Sequence, residues 1–264
     1  MSLRKFIVAI DGPAASGKSA VSETLAVRLG FLHVNSGAIY RCATLLAIRN
    51  DLLDLQFKKN LDRMREILKE TKITMGPLGT SPIKNENVNR PSTAIFLNGE
   101  NVTDQISKIE ITKNVRFLAK IPEIRAASIE KQRELVQSKN LFETRADSKV
   151  DGVIVEGRDI GTAVFPNADI KFFIEAEAKA RAKRRFDELV ARGLNVDING
   201  DPVDYEQILE DILQRDQEDL TRTHSPLRKA KDAIVIDTSN LSLDQVVGKV
   251  ESSILKRLAE LEED

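Results

Sequence analysis

The stretch FIVAIDGPAASGKSAVSETLAVRLG, residues 6–30, decides the fold of this chain. Its apolar start, Phe6–Ile10, is short and continuous, as in a strand that is buried on both faces of a parallel sheet. Its second half carries apolar residues at helical spacing and stops at Gly30. Between the two, residues 12–19 fit the pattern G-x-x-x-x-G-K-[ST], which is typical of a loop that cradles phosphates. The order strand, glycine-rich loop, helix therefore predicts an α/β fold that binds a phosphorylated ligand.

The residue types of this phosphate loop each suit the binding of phosphate. Backbone N–H groups of the loop and of the following helix face the phosphates, and glycine permits their close approach. Lys18 can reach the β and γ phosphates, and the Ser19 hydroxyl can bind Mg²⁺. The alternative, a chance glycine-rich turn, is disfavoured by the flanking strand and helix. We therefore predict that phosphate is bound by Gly12, Pro13, Ala14, Ala15, Ser16, Gly17, Lys18 and Ser19.

Later apolar runs repeat the strand signal, with helix-like segments between them, at residues 153–155, 172–174 and 233–236. Strands that alternate with helices form a parallel sheet. The expected fold class is therefore α/β, a three-layer parallel sheet wrapped by helices, of the phosphate-loop NTPase type. A last helix is predicted from the capping box of Ser242 and Gln245 to about Leu258, followed by a frayed acidic tail.

Two stretches interrupt this pattern. Residues 73–107 are rich in Gly, Pro and Asn, and Asn98-Gly99 between short apolar runs signals a hairpin, so we expect a small antiparallel insertion. Residues 181–222 are highly charged, with turn-forming breaks between two helical stretches, which suits a helical lid. We expect one domain over residues 1–264, divided into a core of 1–72, 108–180 and 223–264, the insertion at about 73–107 and the lid at about 181–222.

The composition is that of an ordinary globular protein, with 41% of its 264 residues hydrophobic and 31% charged. Lys plus Arg number 40 against 41 Asp plus Glu, a net charge of −1, whereas a general nucleic-acid binder carries a basic excess. One cysteine and two histidines make a zinc site improbable. No apolar stretch approaches the about 20 residues that span a bilayer. We therefore expect a cytoplasmic protein with neither a nucleic-acid nor a membrane partner.

A phosphate loop alone does not name a reaction, since GTPases, ATP-driven machines and small kinases all use one. The chain lacks the N-K-x-D motif that reads guanine, which disfavours a regulatory GTPase. Other candidate residues suit a second, phosphate-bearing acceptor. Arg158 and Asp159 directly follow the strand at 153–155, and ligands of open α/β sheets bind beyond the carboxyl ends of strands. Ser36 and Arg41 follow the first helix and could contact the phosphate of the acceptor, although Arg41 taken alone is more typical of a solvated surface charge.

Two charged groups are open to a second interpretation. Arg215, Asp219 and Arg222 lie at i, i+4 and i+7 of a predicted helix, a spacing that by itself favours a surface ladder of weak ion pairs. The basic cluster at residues 181–185 by itself is typical of a solvated face. Phosphoryl transfer nevertheless needs cations around the moving group, and a lid that supplies them on closing also excludes water.

The chain resembles bacterial cytidylate kinases over nearly its whole length. The stretches that carry the resemblance are IDGPAASGKS, NSGAIYR, IPEIR, EGRDIGTAVFPNAD, RAKRR and THSPLRKAKDAIVIDTSNLS. EGRDIGT followed by SPL and DTS is specific to this family within the nucleoside monophosphate kinases. The resemblance implies an enzyme that moves the γ-phosphate of ATP onto CMP or dCMP with Mg²⁺. It thereby makes the phosphate loop an ATP site.

The same resemblance implies which residues hold the acceptor. Ser36, Arg41 and Arg158 are expected to hold the CMP phosphate. Arg125 and Asp159 resemble the residues that read cytosine in this family.

Further roles are implied on the lid side of the site. Asp219, with Arg215 nearby, is expected to contact the sugar, and Arg222 is expected to lie on the lid side of the CMP site. Arg184 resembles one of the lid arginines. The residues expected to be catalytic, near the transferring phosphate, are Lys18, Arg181 and Arg185.

The match departs from the family at Asn35, where an aspartate is usual, and at Arg116, where many relatives have a serine that touches the base. A kinase for UMP or another small acceptor is the alternative enzyme, because the phosphate loop is shared. A nucleotide-sensing module is the alternative that is not an enzyme, but acceptor-side arginines and a charged lid are needed for transfer and not for sensing. We expect a monomer.

Overall fold

The computed structural model describes residues 5–53, 57–77, 93–138, 152–191 and 204–263. In chain order its strands are β1 (Phe6–Asp11), β2 (Leu32–Asn35), β3 (Ile73–Pro77), β4 (Thr93–Leu97), β5 (Glu100–Asn101), β6 (Gly152–Gly157), β7 (Ile170–Glu175) and β8 (Ile234–Asp237). Its helices are α1 (Lys18–Leu29), α2 (Ser36–Arg49), α3 (Leu61–Glu70), α4 (Ile109–Leu118), α5 (Pro122–Gln137), α6 (Ala178–Ala191), α7 (Tyr205–Thr221) and α8 (Leu243–Glu263).

Five strands form the main sheet, in the order β2-β6-β1-β7-β8. β1 pairs in parallel with β7, with Val8 opposite Ile170, and β7 pairs in parallel with β8. A parallel sheet flanked by helices confirms the expected α/β fold class. β1 and β6 are buried along almost their whole length, as their continuous apolar runs predict. The sequence pattern does not predict β2, because its four residues, LHVN, show neither an apolar run nor a clear alternation.

Contacts within the chain define two compact units, Met1–Phe6 with Ala26–Val155 and Ile7–Leu25 with Glu156–Asp264. The expected boundaries of the core, the insertion and the lid stay predictions.

The first unit contains the small sheet, in which β3 pairs antiparallel with β4 and β4 with β5. Asn98 and Gly99 connect β4 to β5 with φ angles of 49° and 88°, the left-handed region that a tight hairpin turn requires. The predicted Asn-Gly hairpin is therefore confirmed. Arg49 of α2 donates to both carboxylate oxygens of Glu100, at 2.8 and 2.6 Å. This ion pair connects the hairpin to α2.

In the second unit, α6 and α7 are the two helical stretches expected around residues 181–222. They pack against each other through Ala182, Ile208 and Ile212, with the rings of Phe186 and Tyr205 edge to face at 6.5 Å. Residues 192–203, which carry the turn-forming breaks, lie outside the described residues.

The last helix begins as predicted and ends later than predicted. The Ser242 N–H donates to Gln245 Oε1 at 2.9 Å, and the Gln245 N–H donates to Ser242 Oγ at 3.3 Å, which confirms the capping box. The expected end near Leu258 is wrong, since α8 continues to Glu263. Half-buried Leu258 and an ion pair one turn apart, Arg257–Glu260 at 3.0 Å, support this extra length. Among the helices of the described residues, none is long and apolar enough to cross a membrane.

Candidate active site

The phosphate loop lies between the end of β1 and the start of α1, as its sequence predicts. Both glycines of the loop are required by its backbone conformation. Gly12 has φ 151°, and a Cβ there would lie 2.0 Å from the Ile174 carbonyl oxygen, so the loop packs directly on the β7 backbone. Gly17 has φ 91°, a conformation that side chains disfavour. The loop is therefore fixed by its close approach to the sheet.

Lys18 is buried, with 5% of its surface exposed, and its ammonium group folds back onto the loop. Its Nζ donates to the Pro13 carbonyl oxygen at 2.6 Å and to Ser16 Oγ at 3.2 Å. Burial is the main cause that lowers the pKa of Lys18 well below its usual value; Arg158 and Arg215 lower it further by repulsion. The structure therefore brings the loop lysine within electrostatic range of two predicted acceptor-side arginines.

Ser19, the predicted Mg²⁺ ligand, lies beside a carboxylate. Its Oγ donates a hydrogen bond to Glu156 Oε2 at 2.9 Å, and Glu156 is 3% exposed. Hydroxyl and carboxylate oxygens are the ligands that Mg²⁺ accepts. Sequence reasoning assigned no role to Glu156. The available signal was its position near the carboxyl end of β6, the buried strand that leads into the EGRDIGT loop.

In the second unit, the charged side chains predicted to bind the acceptor form a network in which arginines alternate with aspartates. Arg158 Nε donates to Asp219 Oδ2 at 3.0 Å, and Arg222 Nη1 donates to Asp219 Oδ1 at 3.2 Å. Arg222 Nη2 lies 3.9 Å from Asp159 Oδ1. The side chains of Asp159 and Arg222 are only 5% and 9% exposed. Asp219 thus accepts a hydrogen bond from an arginine outside α7, whereas a surface ladder would pair it only with residues of its own helix. Arg215 lies one turn before Asp219 on α7.

The predicted lid arginines differ in what they contact. Arg181 is buried and donates to the carbonyl oxygens of Ala176 at 2.9 Å and Ala14 at 3.0 Å. It also makes a two-pronged pair with Asp216, at 3.0 and 2.5 Å. The donors of Arg181 therefore support the phosphate loop and join α6 to α7 in this structure.

Arg184 and Arg185 lie three and four residues after Arg181 on α6 and contact different partners. Arg184 donates to Oγ1 and to the carbonyl oxygen of Thr238, and Thr238 Oγ1 donates to the Ser16 carbonyl oxygen at 3.3 Å. Arg185 is exposed and pairs with Glu188 at 2.9 Å. Arg185 is therefore the lid arginine with the fewest internal constraints of the three.

Three predicted acceptor residues belong to the first unit and lie on or against α2. Ser36 is buried at the start of α2. Arg41 donates to the Ile106 carbonyl oxygen at 2.9 Å and to Thr112 Oγ1 at 3.0 Å. These contacts hold the guanidinium of Arg41 against Ile106 and the first turn of α4.

Arg125 projects from α5 towards α2 and is 3% exposed. Its Nη1 donates to the Tyr40 hydroxyl at 2.8 Å, and its guanidinium carbon lies 5.2 Å from the centre of the Tyr40 ring. Sequence reasoning gave Tyr40 no role, although it stands in the NSGAIYR stretch. The roles assigned to all these residues stay predictions.

The model of the cytidylate kinase family matches residues 8–256. A cytidylate kinase of Anoxybacillus flavithermus is 38% identical over 255 residues, which cover 97% of this chain and 98% of that protein. A cytidylate kinase of Caldicellulosiruptor bescii is 40% identical over 248 residues, 94% of this chain and 95% of that protein. One from Listeria welshimeri is 38% identical over 247 residues, with the same coverage. With the phosphate loop and the EGRDIGT loop in one unit, these matches show that the chain belongs to the cytidylate kinase family.

Proposed function

We propose that this chain transfers the γ-phosphoryl group of ATP directly onto CMP or dCMP, giving CDP or dCDP, with Mg²⁺ as the metal ion. The observation that carries the proposal is the surroundings of Lys18. Glu156 and Asp11 attract its charge, whereas Arg158 and Arg215 repel it. A phosphate-loop lysine and acceptor-side arginines in one neighbourhood suit a transfer between two bound nucleotides.

ATP would be held by the eight residues of the phosphate loop, through backbone N–H groups and Lys18. The Ser19 hydroxyl and the Glu156 carboxylate, 2.9 Å apart, would hold Mg²⁺ directly or through its water ligands. The metal ion supplies charge neutralisation at the phosphates. Lys18 would leave its bonds to Pro13 and Ser16 and donate to the transferring group, where negative charge shifts.

The acceptor would be fixed at its phosphate by Ser36, Arg41 and Arg158. Its cytosine would be read by Arg125, which only donates, and by Asp159, which when ionised only accepts. Cytosine offers one donor, its N4 amino group, and two acceptors, N3 and O2, so both side chains find a partner.

Arg215, Asp219 and Arg222 would complete the acceptor site from the α7 side, where Asp219 already orients Arg158. No general base is needed, because the acceptor phosphate is itself an anionic nucleophile. Catalysis is then alignment plus charge neutralisation.

Residues 181–222 would act as the lid. Arg181 and Arg185 would lie near the transferring phosphate, and the hydrogen bond of Arg181 to the Ala14 carbonyl oxygen supports an added role in stabilising the phosphate loop. A cytoplasmic, monomeric enzyme without nucleic-acid or membrane partners completes the proposal. The sequence has one cysteine, the buried Cys42, and so has no pair of thiols for a disulfide within the chain, as is usual in cytoplasmic proteins.

The decisive experiment is a coupled assay of ADP formation with Mg²⁺-ATP and, separately, CMP, dCMP, UMP and AMP. We expect turnover with CMP and dCMP, and at least a tenfold lower kcat/KM with UMP. Faster turnover with UMP or AMP would make the chain a kinase for another nucleotide. Nucleotide binding without turnover of any acceptor would make it a sensing module.

A further inference from the structure

Asp11 ends β1 and immediately precedes the phosphate loop, and its carboxylate is 4% exposed. Its Oδ1 accepts a hydrogen bond from the Ile160 backbone N–H at 2.8 Å, and its Oδ2 accepts one from the Gly161 N–H at 2.7 Å. Both donors directly follow Arg158 and Asp159. One side chain therefore connects the strand that carries the phosphate loop to the loop that carries two proposed acceptor contacts.

The segment that Asp11 holds is a single wide helical turn, Ile160–Val164. The Phe165 N–H donates to the Ile160 carbonyl oxygen at 2.7 Å, a bond between residues five apart, as in the π-helical turns common at functional sites. The first N–H groups of any helical turn have no acceptor within it. Asp11 supplies that acceptor from a distant strand, and its negative charge suits the positive end of the turn.

A glycine, Gly161, lies where the turn approaches the Asp11 carboxylate. A Cβ on Gly161 would lie 3.4 Å from Asp11 Oδ2, an ordinary contact, and 3.1 Å from Cδ of the flexible Lys171 side chain. Displacing the turn from Asp11 therefore requires a side chain larger than alanine, such as valine, which still keeps the Asp11 carboxylate.

The charges that face Asp11 come from two other elements, besides the two backbone donors. Asp159 repels it and Lys18 attracts it, and burial is the largest effect, so that the pKa of Asp11 is raised to about 6. Lys171, on β7, directs its ammonium elsewhere, to the Pro166 carbonyl oxygen at 2.6 Å and to Asp232. At neutral pH both oxygens of Asp11 accept hydrogen bonds, whereas protonation turns one of them into a donor that faces another donor.

We propose that Asp11 is a positioning residue of the acceptor site: it fixes the turn at Ile160–Gly161, and through it the backbone of Asp159 and Arg158, on the end of the phosphate-loop strand. This inference rests on the proposed function, because it concerns where CMP is held. We therefore expect loss of the Asp11 carboxylate to raise KM for CMP and to leave KM for ATP nearly unchanged.

The test compares Asp11→Asn with Asp169→Asn. Asp169 Oδ2 accepts the Ile7 N–H at 2.8 Å near the opposite end of the same strand. The control therefore neutralises a similar carboxylate that contacts a backbone N–H, at a place that no hydrogen bond given for the described residues joins to the turn at Ile160–Gly161. KM for CMP, KM for ATP and kcat are measured with CMP and UMP between pH 5.5 and 8. The ratio of variant to wild type is taken at each pH, because the ionisation of the CMP phosphate then cancels.

At pH 8 we expect Asp11→Asn to raise KM for CMP at least tenfold, with KM for ATP within threefold, while Asp169→Asn leaves both unchanged. The deficit of Asp11→Asn should shrink below about pH 6, where the wild-type carboxyl group is itself protonated. Equal kinetics of the two variants, or a deficit that is the same at every pH, would overturn the inference.

Gly161→Val gives an independent answer if Asp11→Asn fails to fold. This variant keeps the Asp11 carboxylate but crowds the turn that Asp11 holds, and we expect it to raise KM for CMP at least fivefold with the wild-type KM for ATP. An unchanged KM for CMP counts against the inference. Wild-type protein that does not phosphorylate CMP at all would instead overturn the proposed function.

Discussion

Asp219→Asn is the substitution that probes the acceptor network most directly. Asp219 accepts from Arg158 at 3.0 Å and from Arg222 at 3.2 Å. An asparagine has one carbonyl oxygen, so only one of these two hydrogen bonds can persist, and its amide group then faces the other arginine. A hydrogen bond to a charged group contributes about 1.5–3 kcal/mol. The side chains of Arg158 and Asp219 are 21% and 16% exposed, so water screens part of this interaction. We therefore expect the substitution to remove about 2 kcal/mol of interaction free energy from the network.

A loss of about 2 kcal/mol corresponds to about a 30-fold change in an equilibrium or a rate. We expect kcat/KM for CMP to fall by about that factor, because Arg158 loses the partner that orients it, while KM for ATP stays within threefold. Steady-state kinetics with each substrate varied in turn measure kcat/KM for CMP and KM for ATP, and urea unfolding measures the stability of the variant. Asp187→Asn is the matched control, since it changes an exposed carboxylate whose contact within the described residues is the pair with Lys183 on α6. A CMP kcat/KM within threefold of wild type for Asp219→Asn would refute the reasoning.

The remaining predictions concern the loop lysine, base selection, the lid arginines and pH. Lys18→Ala should lower kcat about 10²–10³-fold, which single-turnover kinetics can measure; activity within threefold of wild type contradicts the assigned role. Asp159→Asn should narrow the CMP-to-UMP ratio of kcat/KM at least tenfold, because an amide can accept from cytosine or donate to uracil; an unchanged ratio moves base selection to Arg125. Arg181→Lys should lower the Tm through loss of the two-pronged Asp216 pair, whereas Arg185→Lys should keep the Tm and lower kcat at least tenfold; the opposite pattern would exchange their roles. The folded-state pKa of Asp11, about 6 against 3.8, means that the folded chain holds this proton more tightly, so its stabilising contribution is complete below about pH 4 and is lost as the pH rises through 6. The unfolding free energy of the wild type minus that of Asp11→Asn should therefore fall by on the order of 3 kcal/mol as the pH rises from 4 to 7. A difference that does not vary with pH contradicts this prediction.

Local signals in the sequence determined much of the fold. The continuous apolar run of β1, the glycine-rich loop and the helical spacing of α1 predict their own structures, because strand burial, loop conformation and helix periodicity depend on neighbouring residues. The Asn98-Gly99 hairpin and the Ser242–Gln245 capping box are confirmed for the same reason, since the interacting groups lie within a few residues of each other. The end of α8 was not predictable, because its last turns depend on what half-buried Leu258 packs against.

The tertiary structure alone decided how the candidate site is assembled. Arg158 and Asp219 are 61 residues apart in the chain, and Asp11 and Ile160 are 149 apart. Their pairing depends on which strand ends lie side by side and on how α7 packs, and no periodicity in the sequence encodes either. The sequence supplied the residue types that phosphoryl transfer needs. The fold determined which charge faces which, because hydrogen bonds form only at about 3 Å and the attraction between charges weakens with distance.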